Sequence, residues 1–346
     1  MTAALVAAAV ATAAVASSDV SSTILARFAS LSRDLIDSDY REHFRVTEKF
    51  GTDQLVGPLT HGAERAPSDD CWLCPGGDAE FRIALHERLF PDISPVAQLE
   101  RVLERGERGS IDRSILFVGD SLTLQFYEAA RCTLPSKYHD ALEYYDVEAL
   151  VDFRKTLARM KRGVVLLNLG LKFGPGEREQ LRGRADELVG ELERWSSTCG
   201  DACVAVVATA TTQHFSTARD RVWRGHNSSS PLGVAHIPMG GGCAPLPGPF
   251  VQMQRVQPSS PNVWRSEAVS EAVHAAGNHV ALVPLHLISQ HWWSAMRGAM
   301  SNAFPEPKTP TFVDCTHYCL TPYLLQPLWW AVCVAATGDA VGCERE

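Results

Sequence analysis

From residue 96 onward, short apolar runs alternate with longer amphipathic stretches. Apolar positions at helical spacing over residues 96–105 predict a helix, and the run at 113–118, stopped by Gly119, predicts a buried strand. The same reading gives helices over 122–132, 147–162, 177–197, 263–276, 289–303 and 322–336. It gives further strands at 164–167, 203–208 and 279–284. These strands are almost purely Val, Leu, Ala and Ile, without polar alternation, as expected when both faces are covered. Strands alternating with helices predict an α/β fold built on a mostly parallel sheet. Residues 212–262, rich in Gly, Pro, Ser and His, read as an irregular insertion. No internal repeat is present.

The amino-terminal part reads differently. Residues 2–16 are small and apolar, and Ala14-Val15-Ala16 followed by Ser17-Ser18 resembles a signal-peptidase site, although no Lys or Arg precedes the run. Residues 17–66 are polar with scattered apolar positions, among which 21–36 could form an amphipathic helix. Residues 67–80 read as a loop. The organisation expected is a leader (1–16), an extension (17–66), one catalytic domain (67–336) and a tail (337–346). The leader is too short for a comfortable span, and the apolar run 323–337 carries Gln and Pro, so no stable membrane insertion is expected beyond that leader.

Composition narrows the partners. A net charge of -8 and no long basic run argue against nucleic acid. Ten cysteines and the leader favour an oxidising compartment and disulfides. The sequon Asn227-Ser228-Ser229 fits that route.

Two segments carry candidate chemistry. Val118-Gly119-Asp120-Ser121-Leu122 is a strand running into a helix, which puts Ser121 where helix N–H groups and positive dipole gather. A serine so placed can attack an ester while backbone N–H groups hold the oxyanion, or it can simply cap the helix. The second is Asp314-Cys315-Thr316-His317, read as a loop on which an Asp can orient an imidazole. Cys71-Trp72-Leu73-Cys74 with Cys315, His317 and Cys319 also fits zinc spacing, but a metal there would consume the base that Ser121 needs.

In this order these segments, with two others, resemble the SGNH/GDSL hydrolase superfamily. More narrowly they resemble the trichome-birefringence-like PC-esterase family of plant polysaccharide O-acetyltransferases. The other two are Asn168-Leu169-Gly170 at a strand end, and Thr211-Thr212-Gln213-His214-Phe215 followed by Gly241-Gly242-Cys243. The fourth match extends through Tyr318-Cys319-Leu320. The set spans about residues 71–332. It departs from the family at Leu171-Lys172-Phe173, where the family has an aromatic pair, and at Thr321, which delays a proline to Pro322. The amino-terminal Cys-rich domain is reduced to Cys71–Cys74.

The resemblance implies a single three-layer α/β/α, flavodoxin-like domain with irregular insertions. It implies Ser121 as nucleophile, His317 as general base and Asp314 as its orienter, with the Ser121 N–H and the Asn168 side chain as oxyanion donors. Asp120 is expected to be a scaffold residue of the turn. His214, Gly241 and Gly242 would line the acceptor cleft. Trp292, Trp293, Trp329 and Trp330 read as core more readily than as sugar-stacking faces. The implied disulfides join Cys243 to Cys315 and divide Cys71 and Cys74 between Cys132 and Cys319, with Cys199–Cys203 and Cys333–Cys343 left over. No metal or cofactor is implied beyond an acetyl donor such as acetyl-CoA or an acetylated carrier. The partner implied is a polysaccharide or glycan acceptor met in the Golgi lumen or after secretion. An acetyl esterase and a non-catalytic glycan-binding descendant are the other readings of the same residues.

Overall fold

The computed structural model describes residues 20–32, 90–104, 111–147, 153–174, 176–211, 263–289, 296–299, 313–318 and 324–345, the segments 296–299 and 313–318 by backbone alone. Its centre is a five-stranded parallel sheet. In chain order the strands are β1 (Ser114–Gly119), β2 (Leu142–Asp146), β3 (Gly163–Asn168), β4 (Cys203–Ala208) and β5 (Val280–Val283), arranged β2-β1-β3-β4-β5. The expected α/β/α sandwich is therefore present, and its strand order is the flavodoxin-like one.

Alternation along each strand sorts the core into two halves. Ile115, Phe117, Val164, Leu166, Val206 and Val283 face one side. They pack there on helix α3 (Ser121–Thr133) through Leu122 and Phe126, and on the apolar helix α8 (Gln326–Thr337) through Trp329. Leu116, Val118, Val165, Leu167, Val207 and Leu282 face the other side. They meet α4 (Phe153–Arg159), α5 (Arg178–Cys199) and α6 (Trp264–Ala276). Only β2, at the sheet edge, is partly exposed along its length.

Helix α8 is apolar around nearly its whole circumference, which requires cover on all sides. Helix α2 (Pro95–Leu103) packs on it, with Ser94 Oγ accepting from the Ala97 N–H to start that helix. Helix α1 (residues 20–32) adds Ile24, Phe28 and Leu31 to the same cluster, and the Phe28 and Trp330 ring centroids lie 6.5 Å apart. The carboxyl-terminal segment returns as well: Gln98 Nε2 donates to the Cys343 carbonyl at 3.0 Å, and a disulfide joins Cys333 to Cys343. Residues 20–32 of the expected extension and Cys343 of the expected tail thus share one core with the sheet. Both left-over cysteine pairs are disulfides, Cys199–Cys203 closing the turn from α5 into β4. Cys132 is disulfide-bonded too. Cys71, Cys74, Cys243 and Cys319 lie outside the described residues, as does the Cys315 side chain.

Three predicted elements change. Residues 142–146 form a strand where none is expected, and the helix predicted over 147–162 is only α4. Within the helix predicted over 289–303, residues 296–299 instead form strand β6 (Met296–Ala299), and a short turn of helix, α7 (His286–Ser289), ends at Ser289. The segment read as a catalytic loop is strand β7 (Val313–Tyr318), antiparallel to β6. Among the described residues no helix is long and apolar enough to cross a membrane.

Arg113, just before β1, is buried and ties the amino-terminal edge of the sheet together. Its guanidinium donates to the Ala336 carbonyl at the end of α8 and to the Asp201 carbonyl before β4, both at 2.8 Å. Arg113→Met leaves these carbonyls without their charged donor. It is expected to lower unfolding stability by about 2 kcal/mol, read as a lower urea midpoint at unchanged m-value.

Candidate active site

In a parallel α/β sheet, ligands bind beyond the carboxyl ends of the strands, where the order reverses. Here the reversal lies between β1 and β3, and the residues ending them, Gly119 and Asn168, are register partners. Ser121 begins α3 immediately after β1 and is half-buried.

The turn around Ser121 is held from several sides. A methyl group on Gly119 would run into the Thr123 hydroxyl and the Asn168 carbonyl oxygen, so only glycine allows β1 to approach β3 this closely. Asp120, buried, caps α3: one carboxylate oxygen accepts from the Leu122 N–H at 3.0 Å and the other from the Leu171 N–H at 3.1 Å. This is the scaffold role expected of it. Tyr144, near the end of β2, reaches the Gly119 and Asp120 carbonyls at 3.4 Å. Burial first, then the negative charges of Asp146, Asp120 and Glu128, push its pKa up, so it stays a protonated donor.

The loop after β3 is fixed from behind by Arg265, a buried cation that donates to the Phe173 carbonyl at 2.6 and 3.0 Å. Burial pushes the pKa of Arg265 down to about 10, against the opposing fields of Asp120 and Glu177, and it stays charged at neutral pH. Gly170 takes φ +123°, and a Cβ there would press on Ala210 and Arg265. Lys172 stands on this loop, and its Nζ lies 3.7 Å from Asp146 Oδ1.

Asn168 corrects an expectation. Its side-chain N–H groups donate to the Ala208 and Thr209 carbonyls at 3.0 and 2.9 Å, and the residue is 1% exposed. Both amide hydrogens are spent tying β3 to the end of β4, so the side chain is not placed to donate to an oxyanion. The Ser121 N–H lies in the first turn of α3.

Strand β7, which carries Asp314 and His317, lies against α3, with Cα atoms of the two elements within 8 Å. An unbroken strand puts residues three apart on opposite faces. Here Met296 pairs with Tyr318 and Gly298 with Asp314, so residues 315–317 stand opposite Arg297 alone. This bulge interrupts the alternation between Asp314 and His317, and bulges of this kind recur beside active sites. His214, Gly241, Gly242, Asn227, Trp292 and Trp293 lie outside the described residues, as do the side chains of Asp314 and His317. Trp329 and Trp330 are core residues at 0% and 1% exposure, not sugar-stacking faces.

One group at this edge is new. His286 follows β5 and bonds through Nδ1 to the Thr209 hydroxyl at 2.9 Å, while its own backbone N–H donates to the same oxygen at 3.1 Å. Burial pushes its pKa down to about 4, so the ring is neutral at physiological pH. The signal for it is present in the sequence: a histidine three residues beyond an apolar strand, at the end of the sheet where α/β chemistry gathers.

Set against models of known protein families and against curated proteins, the chain matches none.

Two consequences can be measured. Gly119→Ala forces the turn away from β3 and is expected to cost about 2 kcal/mol of stability, seen by chemical denaturation. Because the folded pKa of His286 lies below its unfolded value, the unfolded chain binds the extra proton between about pH 6.5 and 4, and stability is lost as pH falls through that window. His286→Gln should show a smaller loss of urea midpoint between pH 7.5 and 4.5 than the wild type.

Proposed function

We propose that the chain is a serine-dependent O-acetyltransferase that acts on hydroxyl groups of a polysaccharide or glycan, as its resemblance to the trichome-birefringence-like PC-esterases implies. The observation that carries this reading is the approach of β7, the strand with Asp314 and His317, to the helix begun by Ser121 at the sheet's reversal point.

The chemistry follows the serine triad. The Ser121 hydroxyl oxygen attacks the acetyl carbonyl carbon of the donor while His317 takes its proton. Negative charge on the carbonyl oxygen is met by the Ser121 N–H and the positive end of α3. Collapse breaks the bond to the leaving group, which takes the proton back from His317 and leaves acetyl-Ser121. A sugar hydroxyl then gives its proton to His317 and attacks the acetyl carbon, and Ser121 leaves with the returned proton. Asp314 orients the imidazole and stabilises its charged form.

Water in place of the sugar makes the same site an acetyl esterase, and the partly open surface of Ser121 favours keeping that second reading. The disulfides Cys199–Cys203 and Cys333–Cys343 support a secretory location, which is where a glycan acceptor and a glycosylated Asn227 belong.

The test is turnover of a chromogenic acetyl ester with and without xylan, pectin and mannan oligomers. Ser121→Ala and His317→Ala should each lower the rate by about 10⁴-fold or more, and the wild type should show an acetyl mass increment on the Ser121 peptide. Robust hydrolysis without transfer assigns the esterase. Undiminished turnover by Ser121→Ala rejects the mechanism.

A further inference from the structure

Beyond the Ser121 turn, a hydrogen-bonded chain crosses the carboxyl ends of three strands. The Asn168 amide after β3 donates to the Thr209 carbonyl, and the Thr209 side chain meets His286 after β5. Thr209 is fully buried, and its oxygen already accepts the His286 backbone N–H. With the Thr209 hydroxyl proton given to Nδ1, the neutral ring carries its own proton on Nε2. Among the described residues Nε2 has no partner, and the residue keeps part of its surface open. Two more polar atoms at this edge are buried and unpartnered among the described residues: Thr211 Oγ1 beyond β4, in a residue 4% exposed, and Asn168 Oδ1.

We propose that His286 binds the carbohydrate acceptor, its Nε2–H donating to a sugar hydroxyl at the carboxyl ends of β4 and β5. This rests on the function proposed above and extends it from the reacting centre to a remote subsite. Three strand-to-strand steps of about 4.8 Å separate β1 from β5, so the subsite lies roughly 14 Å along the rim from Ser121. That is further than one sugar ring reaches. The acceptor is accordingly an oligosaccharide chain lying across the strand ends, with one unit at Ser121 and another at His286. A hydroxyl suits the site because it accepts from Nε2–H and can donate onward to an oxygen such as Thr211 Oγ1. A carboxylate would gain no charge partner from a ring that stays neutral.

The experiment compares wild type, His286→Ala and His286→Gln in acetyl transfer to xylotetraose, cellotetraose and mannotetraose. The imidazole ¹⁵N signals of the wild type are recorded at pH 7 with and without each sugar. Expected is a rise in acceptor KM of about threefold to tenfold in His286→Ala with a smaller change in kcat, partial rescue in His286→Gln, and a shift of the Nε2–H signal on adding an accepted sugar. An unchanged acceptor KM in His286→Ala overturns the proposal. So does a fall in kcat that tracks lost stability in both variants. If the wild type shows no Ser121-dependent acetyl transfer, the functional reading fails separately. The ¹⁵N titration then decides the subsite alone, and no shift with any of the three sugars overturns it.

Discussion

At the carboxyl ends of β1 and β3 two backbones meet with room for a hydrogen and nothing larger. Gly119 supplies that hydrogen, the Asn168 carbonyl lies against it, and Thr123 packs alongside from the first turn of α3. Everything around Ser121 is arranged to hold this approach. The Asp120 carboxylate spans it, taking one N–H from α3 and one from the loop after β3. Tyr144 closes it from β2, and Arg265 braces the far side of the same loop. The serine is fixed because its neighbours on both sides have nowhere to move.

Much of this frame was legible in the sequence, and the failures have physical causes. Strands β1, β3, β4 and β5 are continuous apolar runs, which is what burial on both faces requires, and each is legible as a strand. Strand β2 is not legible because Leu-Glu-Tyr-Tyr-Asp at a sheet edge needs only one well-covered position, and such a run has no strong period. β6 and β7 form a separate two-stranded pair, and their register is broken by the bulge, so neither shows the alternation that a sequence pattern detects. The helix-like reading of 289–303 had nothing to contradict it.

The site divides in the same way. Gly119, Asp120 and Ser121 were identifiable because a strand, a tight turn and a helix start coincide within a few residues. The duties of Asn168 were not, since the carbonyls that occupy its amide belong to Ala208 and Thr209, forty residues onward. Residue type indicated a donor, and only the neighbouring strand end determined what receives the bond. His286 stands in view after its strand, but its bond to Thr209 joins segments far apart in the chain.

Helix α8 bears on how this protein comes to be made. It covers one face of the sheet and is itself covered by α1, so elements from near the two ends of the sequence complete a single layer. During synthesis β1, β3, β4 and β5 emerge before it, with Phe117, Val164, Leu166 and Val283 still lacking that cover. Contacts of such long sequence separation close slowly. Until α8 is made, that face is covered only in part, by α3, and the apolar side chains that Trp329 will cover are a surface for a chaperone to protect.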